Sequence, residues 1–495
     1  MGTLEIIFLA VYFAVLLILA VYGSHRYHMA WLYHKHKQNP PVPPEWSGQL
    51  PKVTVQLPIF NESFVVERLV EQVCKMRYPA ELLEIQVLDD SIDDTVEIAR
   101  RAVERWRAKG VNIVHIHRTD RTGFKAGALQ EGMQVAHGEF IAVFDADFLP
   151  PEDFLERTVP FFADDGIGMV QARWDHINRD YSALTQAQSI LLDGHFMIEH
   201  TARNRSGRFF NFNGTAGIWR RTCIEDAGGW EHDTLTEDLD LSYRAQMKGW
   251  RFVFLNDLLS PAEIPVDMNA FKVQQHRWAK GSIQVALKLL PRIMKSDLPR
   301  KVKLEAFVHL TNNVAYVLMV VLSIMMPFAL QIRIGHGWRE TLLLDLPFFL
   351  GATVSVCAFY LLSQREVGGN FWRRALFLPF VLSVGIGLAI NNAKATLEAA
   401  FGHESPFVRT PKMAIERRGQ SWGQRLAKYS SRKGLMPFIE LGLGLLYTWT
   451  LAVCVHHEVY FSIPFLMLFQ VGFMYVGLMS LLQSFLVARR AASAA

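Results

Sequence analysis

The sequence predicts an α/β domain with a mainly parallel sheet, joined to an α-helical multi-pass membrane domain. Three observations lead to this prediction. Apolar residues are concentrated toward both ends of the 495-residue chain, and most charged residues lie between positions 50 and 300. In that central region strand-like and helix-like segments alternate, and polar residues follow the strands. This pattern is typical of parallel sheets with right-handed crossovers, which bind ligands at the carboxyl ends of their strands.

Composition and charge exclude several classes of protein. The chain has 51 Lys plus Arg against 47 Asp plus Glu, which gives a formal net charge of +4. Such a small excess excludes a nucleic-acid-binding protein that acts through bulk positive charge. The four cysteines, Cys74, Cys223, Cys357 and Cys454, lie far apart without a CxxC pattern, so neither a disulfide framework nor a zinc site is predicted.

The first candidate membrane span is the apolar run at 6–22, which is long enough to cross the hydrocarbon if its ends extend slightly. A cleaved signal peptide is the alternative, but residues 1–5 carry an acid in place of a basic region, and no A-x-A site follows. We therefore predict a transmembrane anchor over 1–24. The basic and Pro-rich linker at 25–50 then places the N-terminus outside and the following domain in the cytoplasm.

Five further apolar runs lie at about 307–331, 341–363, 375–391, 434–455 and 459–487. If all five crossed the membrane, the Lys- and Arg-rich segment 392–433 would lie outside, against the positive-inside rule. The weakest run, 375–391, contains Pro379 and two glycines, so it is a candidate for a re-entrant or interfacial segment. We predict transmembrane helices over 301–391 and 434–495, a cytoplasmic interface segment over 392–433, and the helix number to within one.

The soluble domain is predicted over 51–300. The segments that predict its first four strands are KVTVQLPIF, LEIQVLDD, VNIVHIHR and EFIAVFDAD, and helices are predicted at 65–77, 93–109 and 124–136. Polar residues follow three of these strands at the edge where ligands bind: Asn61 and Glu62 after the first, Asp89 and Asp90 after the second, and Asp145 and Asp147 after the fourth.

Asp145 and Asp147 end the fourth strand, and their spacing places both carboxylates on the same side. Carboxylates placed in this way can hold Mg²⁺ or Mn²⁺ against the phosphates of a substrate. Asp89 and Asp90 end the second strand. They have two interpretations of equal weight, a cap for the helix that begins near Asp93 or a contact to a nucleotide.

Lys125 precedes a helix and has glycines nearby, so it is either a ligand for a diphosphate or an exposed lysine in a loop. Thr236, Glu237 and Asp238 begin an amphipathic helix. Acids at that position complement the helix dipole, and Asp238 is also a candidate general base.

Gln274, Arg277 and Trp278 have helical spacing and share one face. Trp278 offers an apolar surface to a sugar ring, and Arg277 offers a fork of donors to phosphate. An amphipathic helix that rests on the bilayer is the alternative interpretation, and both can hold.

Four motifs follow one another in this domain: D-D at 89–90, D-x-D at 145–147, T-E-D at 236–238 and Q-x-x-R-W at 274–278. In this combination the chain resembles the processive inverting glycosyltransferases of family 2, the cellulose synthase superfamily. The segments FFNFNGTAGIWRR and QQHRWAKGS look most like the plant cellulose synthase-like A and C proteins, which make mannan or glucomannan and β-1,4-glucan. The resemblance implies a GT-A type nucleotide-sugar-binding domain.

The resemblance also implies roles for the candidate residues. The implied catalytic residues are Asp238 as the base, with Glu237 and Thr236 beside it. The implied donor-binding residues are Asp89, Asp90, Lys125, Asp145, Arg277 and Thr410. The implied acceptor-binding residues are Trp278, Gln274, Asn213, Gly214 and Thr215. The implied metal ligands are Asp147 and Asp145.

Two segments extend the resemblance. At Asn213, bacterial cellulose synthases have a cysteine, so the chain departs from a strict cellulose synthase. The stretch SPFVRTPK at 405–412, which contains Thr410, resembles the family's gating loop.

The resemblance implies a membrane-embedded enzyme that polymerises a β-1,4-linked polysaccharide from UDP-glucose or GDP-mannose with Mg²⁺ or Mn²⁺ and translocates the polymer. Its partners would be the nucleotide sugar, the growing polysaccharide and the lipid bilayer, with no nucleic acid, and its oligomeric state stays open. Its location would be the plasma (inner) membrane or a Golgi-type membrane. The alternatives are a ceramide-type transferase that adds a single sugar to a lipid, and a transporter or scaffold without activity.

Overall fold

The structure, a computed structural model, describes residues 2–46, 48–337, 344–403, 408–417, 419–420 and 434–494, with side chains up to residue 486. Over these residues, seven strands form one sheet in the order β3-β2-β1-β4-β6-β5-β7. The strands are β1 Val53–Ile59, β2 Leu83–Asp89, β3 Ile113–His117, β4 Phe140–Val143, β5 Ile167–His176, β6 Gly217–Arg220 and β7 Arg251–Ala262.

The sheet is mainly parallel, which confirms the predicted α/β class. β1 pairs in parallel with β2 and β4, β2 with β3, and β5 with β7. The short strand β6 runs antiparallel to both of its neighbours, β4 and β5. The four predicted strands are β1 to β4, and the remaining three were not predicted.

Ten helices of the soluble region surround the sheet in the described part of the chain. They are α2 Val66–Val73, α3 Thr95–Arg107, α4 Phe124–Val135, α5 Phe154–Thr158, α6 Ala183–Asp193, α7 Thr201–Arg205, α8 Arg221–Asp226, α9 Glu237–Met247, α10 Met268–Lys295 and α11 Arg300–Thr311. A π-helical segment, Gly194–His200, joins α6 to α7. Short 3₁₀ turns lie at Ala80–Leu82 and Val159–Ala163.

Side chains of both sheet faces are buried, as β4 illustrates. Phe140, Ala142 and Phe144 pack into one apolar cluster, and Ile141 and Val143 pack into the other. A strand buried on both faces has a nearly continuous apolar sequence, which is why these strands could be identified from the sequence.

The membrane region contains α1 Thr3–His36, α12 Val314–Gly335, α13 Leu346–Phe349, α14 Ser355–Val367, α15 Phe371–Gly387, α16 Ala389–Ala400, α17 Met436–His456 and α18 Ile463–Ala494. A π-helical turn, Leu350–Val354, joins α13 to α14, and a 3₁₀ turn, Tyr460–Ser462, precedes α18. Among the described residues, six stretches are long and apolar enough to cross a membrane: α1, α12, Leu346–Val367, Phe371–Ala400, α17 and Tyr460–Leu486.

α1 does not end near the predicted boundary at residue 24 but continues to His36. Near its N-terminus Glu5 lies 3.5 Å from His336, which follows α12. Near its C-terminus the Tyr33 hydroxyl donates to Glu366 of α14 at 2.8 Å. The C-terminal ends of α12 and α14 therefore lie at opposite ends of α1.

The pair α15 and α16 returns to the side of the soluble domain. At its start Arg374 donates to Gln364, which in turn donates to Asp193 of α6, at 3.1 and 2.9 Å. At its end Glu398 lies 3.1 Å from His276 of α10. Because both ends contact the same side, this pair does not need to cross the bilayer, and the basic segment that follows can remain on the side of the soluble domain.

Close packing of α15 against α18 generates a testable expectation. A Cβ atom built on Gly472 would collide with the backbone carbonyl of Ser383, whereas Gly442 on α17 faces open space. We expect Gly472→Ala to destabilise the helix pair by about 1–3 kcal/mol, because backbone at this contact has little room to move. Thermal unfolding of the protein in detergent measures the effect, with Gly442→Ala as the matched control. Equal melting temperatures for the two variants would contradict the expectation.

Candidate active site

A cavity of about 190 Å³ opens at the carboxyl ends of β1 and β4. The sheet edge, the start of α9, one face of α10 and the segment 408–412 surround it. The predicted site residues that line it are Asp90, Lys125, Asp145, Asp147, Asn213, Gly214, Thr236, Glu237, Asp238, Gln274, Arg277, Trp278 and Thr410. Asp89 and Thr215 lie outside its lining. The structure therefore brings most of the predicted site residues around one space.

Asp145 is held at the floor of this cavity by two neighbours. Its backbone N–H donates to the Thr215 hydroxyl at 2.8 Å, and its Oδ1 accepts from Lys125 Nζ at 2.6 Å. Lys125 Nζ also donates to the Gly214 carbonyl at 2.7 Å. Gly214 has φ +81°, and a Cβ there would lie 3.1 Å from Asp238 Oδ2. A residue without a side chain thus allows Lys125 and Asp238 to approach each other, and Thr215 acts as support.

The structure distinguishes the two acids at the end of β2. Asp89 is fully buried, and it accepts from the Ser91 N–H and pairs with His115 Nε2, both at 2.8 Å. Asp90 accepts two hydrogen bonds from Arg118, at 2.7 and 2.6 Å, and lines the cavity. Asp89 therefore orders the turn, while Asp90 is the acid available to a ligand.

Asp238 lies in the first turn of α9, and its Oδ1 accepts from the Leu239 N–H at 2.8 Å. Burial raises the pKa of Asp238 to about 7, and the neighbouring charge of Glu237 adds to this while Lys125 opposes it. A carboxyl group with a pKa near neutrality is suited to general base catalysis. A Cβ on Gly281 would contact the Thr236 side chain at 2.5 Å, so α10 packs directly on the start of α9.

α10 contacts the cavity on one face and membrane helices on its other faces. Gln274, Arg277 and Trp278 face the cavity. On other faces Lys272 Nζ lies 2.5 Å from Glu440 of α17, and Lys280 Nζ lies 3.3 Å from Glu398 of α16. The predicted acceptor-binding helix is thus attached to membrane helices by two ion pairs.

The segment 408–417 closes one side of the cavity. Thr410 is buried, and Lys412 Nζ donates to Asp147 Oδ2 at 2.5 Å. Arg409 pairs with Glu62 at 2.7 Å. Residues 405–407, the first part of the predicted gating loop, lie outside the described residues.

Five charged lining residues were not among the predicted site residues: Glu62, Arg121, Glu263, Arg409 and Lys412. Glu62 follows β1, and the rule that polar residues follow strands places it at this edge, although no role was predicted for it. Glu263 follows β7, a strand that was not predicted. Burial raises the pKa of Glu62 to about 7, with Arg409 opposing the shift. Burial also raises the pKa of Glu263.

The donor set fits a hard divalent cation. Asp145 and Asp147 supply carboxylate oxygens, and Oε2 of Glu263 and Oε2 of Glu62 are buried without a hydrogen-bond partner among the described residues. Oxygen ligands of this kind are preferred by Mg²⁺ and Mn²⁺. Lys412 already supplies a positive charge at Asp147.

Comparison with known proteins relates the soluble domain to one family. Residues 51–281 match the family model described as "Glycosyltransferase like family 2". The chain is 43% identical over 272 residues to glucomannan 4-beta-mannosyltransferase 1 of Oryza sativa subsp. japonica, which covers 54% of this chain and 52% of the relative. It is 43% identical over 259 residues to glucomannan 4-beta-mannosyltransferase 2 of Arabidopsis thaliana, covering 51% and 48%. The chain spans about half the length of the curated relatives it matches.

A solved structure supports the fold. The mannosyltransferase PcManGT from Pyrobaculum calidifontis, in complex with GDP-Man and Mn²⁺, is 20% identical and has a TM-score of 0.52. The similarity covers 81% of this chain and 99% of that one. The predicted GT-A type fold class is thereby confirmed.

The raised pKa of Asp238 generates a prediction for stability. A carboxyl group whose pKa is raised on folding costs stability above that pKa, and the cost disappears below the unfolded value near 4. Asp238→Asn removes this cost, so we expect its melting temperature to exceed that of the wild type by about 3 °C at pH 8.5 and by less at pH 4.5. The exposed Asp297 gives the control variant Asp297→Asn. A gain that is independent of pH would rule out this origin.

Proposed function

Because residues 51–281 match the family model described as "Glycosyltransferase like family 2", we propose that the chain is a membrane-embedded inverting glycosyltransferase. It polymerises a β-1,4-linked polysaccharide from a nucleotide sugar and translocates the polymer. One observation carries this proposal: Asp238, Lys125, Arg277 and Trp278 line the same cavity, and α10, which carries Arg277 and Trp278, is paired with a membrane helix. A base, cations for a leaving group and a surface for a sugar are therefore within one space.

The relatives favour mannose as the transferred sugar. The matched plant proteins are named as glucomannan 4-beta-mannosyltransferases, and the solved mannosyltransferase holds GDP-Man. We therefore propose GDP-mannose as the donor in preference to UDP-glucose, and mannan or glucomannan as the product.

In the proposed reaction Asp238 removes the proton of the acceptor hydroxyl, and that oxygen attacks the anomeric carbon of the donor. The bond to the nucleoside diphosphate breaks in the same step, so the α-linked donor gives a β-linked product. Lys125 and Arg277 offset the negative charge that develops on the leaving diphosphate. Asp90 binds the nucleotide, and Trp278 carries the acceptor ring.

Asp145 and Asp147, with Glu62 and Glu263 nearby, would hold a Mg²⁺ or Mn²⁺ ion. When bound, such an ion neutralises diphosphate charge as a Lewis acid. Asp145 keeps its contact to Lys125, which orients the carboxylate at the floor of the cavity.

The membrane location and orientation are also proposals. The six apolar stretches support an integral membrane protein of a Golgi-type or plasma (inner) membrane. The positive-inside rule supports a cytoplasmic soluble domain, since Arg409, Thr410 and Lys412 of the basic segment 392–433 line the cavity of that domain.

The direct test is synthesis from radiolabelled donors. Protein in native membranes is incubated with GDP-mannose or UDP-glucose and Mn²⁺ or Mg²⁺, and the product is digested with linkage-specific hydrolases. We expect a long β-1,4-linked product from GDP-mannose, and Asp238→Asn lowers its rate by about 10²- to 10⁴-fold because the base is lost. The rate should rise with pH through about 7, since the base acts without its proton. Asp297→Asn is the control.

Two other results would favour the alternative functions. A single sugar on a lipid would favour the ceramide-type transferase. Unchanged release of nucleoside diphosphate by Asp238→Asn would favour a transporter or scaffold.

A second prediction concerns the ammonium group at Asp147. Lys412 Nζ lies 2.5 Å from this carboxylate, so a divalent cation that binds there must displace it. We expect Lys412→Ala to bind Mn²⁺ about three- to tenfold more tightly in the absence of nucleotide, because a competing positive charge is removed. Calorimetry of the full chain in nanodiscs measures this affinity. Lys394→Ala, at a half-exposed lysine that pairs with Glu398, is the control. Unchanged Mn²⁺ affinity would show that Lys412 does not compete.

A further inference from the structure

Two histidines of the π-helical segment hold the side chain of Asn213. His200 Nε2 lies 2.6 Å from Asn213 Oδ1, and His195 Nε2 lies 3.2 Å from Asn213 Nδ2. The two histidines are five residues apart, and the wide turn of a π-helix places residues five apart on one side. Their ring centroids are only 4.3 Å apart. A regular α-helix would separate these two rings, so the π-helix is what allows both to reach one amide.

The contacts on the far side of His195 determine which nitrogen carries its proton. His195 Nδ1 lies 2.9 Å from Glu199 Oε2. An ionised carboxylate accepts hydrogen bonds and cannot donate them, so Nδ1 carries the hydrogen. Nε2 of His195 then has a lone pair and accepts from Asn213 Nδ2. His200 Nε2 in turn donates to Asn213 Oδ1, because an amide oxygen accepts hydrogen bonds and cannot donate them.

Glu199 forms ion pairs with cations from two parts of the chain. Arg26 of α1 contacts Glu199 Oε1, and Arg203 Nη1 lies 3.3 Å from Oε2. Arg203 is shared with Glu305 at 2.9 Å. A membrane helix therefore contributes to a chain of contacts that runs from Arg26 through Glu199 and His195 to Asn213.

Both histidines are held neutral, as this hydrogen-bond pattern requires. Burial lowers the pKa of His200 to about 3, and the positive charge of Arg203 adds to the shift. Burial also lowers the pKa of His195 well below its ordinary value, and the positive charges of Arg203 and Arg26 act in the same direction. Neither ring therefore becomes a double donor that would reverse the Asn213 amide.

The Asn213 amide is thus fixed in one orientation while it lines the cavity. The histidines engage its oxygen and one of its two N–H groups, and the second N–H makes no side-chain hydrogen bond among the described residues. We propose that His195 and His200 are positioning residues, which fix Asn213 as a hydrogen-bond donor to a hydroxyl group of the acceptor sugar. This inference rests on the proposed function. It makes recognition of the acceptor, and not of the donor, depend on the two histidines.

The test separates acceptor binding from donor binding. Full-length protein in nanodiscs is assayed with GDP-mannose and a β-1,4-linked mannotetraose, and each is varied while the other is saturating. We expect His195→Ala to raise the acceptor KM about five- to tenfold, as for the loss of one hydrogen bond, and to leave the donor KM within about twofold. His195→Gln should restore most of the acceptor KM, because its amide oxygen can accept from Asn213.

A second variant tests the orientation of the amide itself. Asn213→Asp replaces the N–H donors by an acceptor oxygen, so it should raise the acceptor KM at least as much as His195→Ala does. Calorimetric binding of mannotetraose without donor gives a readout that is independent of turnover and should weaken in parallel. His137→Ala, at an exposed histidine far from this network, is the control.

Three outcomes would overturn the inference. The first is an acceptor KM that is unchanged in both His195→Ala and Asn213→Asp. The second is an equal rise of the donor and acceptor KM in folded variants, since a general loss of structure would act on both. The third is a wild-type protein that transfers no sugar, which would overturn the proposed function as well, whereas the first two leave the proposed function intact.

Discussion

The structure of the cavity depends on ion pairs that compensate its buried charges. An isolated carboxylate or ammonium group in such a place would lose its hydration at a cost of several kcal/mol. Here Lys125 lies between Asp145 and Glu237, and Lys412 lies against Asp147. The compensation is incomplete at Asp238, whose pKa is raised to about 7. Asp145 and Asp147 are therefore each paired with a lysine, whereas Asp238 keeps a raised pKa.

α10 connects the cavity to the membrane helices. Its cavity face carries Gln274, Arg277 and Trp278, and its other faces are fixed by Glu440 and Glu398 of membrane helices. Since one rigid helix carries both sets of contacts, the position of the predicted acceptor surface is tied to that of the membrane helices. The soluble domain and the membrane helices consequently share one structural element.

The sequence predicted the features that follow from local pattern. β4 is a continuous apolar run, β1 and β2 are mostly apolar, and the acids that follow these strands mark the ligand-binding edge. β6 has only four residues and an antiparallel direction, and neither β6 nor β7 was predicted. Glu263 was missed because it follows β7. Which of Asp89 and Asp90 faces the cavity depends on His115 and Arg118, contacts that only the folded sheet creates. Likewise, His195 and His200 meet at Asn213 because of a π-helix, which the spacing of the residues does not reveal.

The length of α1 exceeds the thickness of the hydrocarbon layer. Its 34 residues form one helix of about 50 Å, whereas the hydrocarbon layer is about 30 Å thick. The remainder is a rigid extension that reaches the soluble domain and delivers Arg26 to Glu199. Each residue of a helix advances about 1.5 Å and turns about 100°. The length and the rotation of the helix therefore both determine where Arg26 lies. Adding or removing one residue within the lipid-embedded part would turn Arg26 away from its partner, even though the anchor would still span the bilayer.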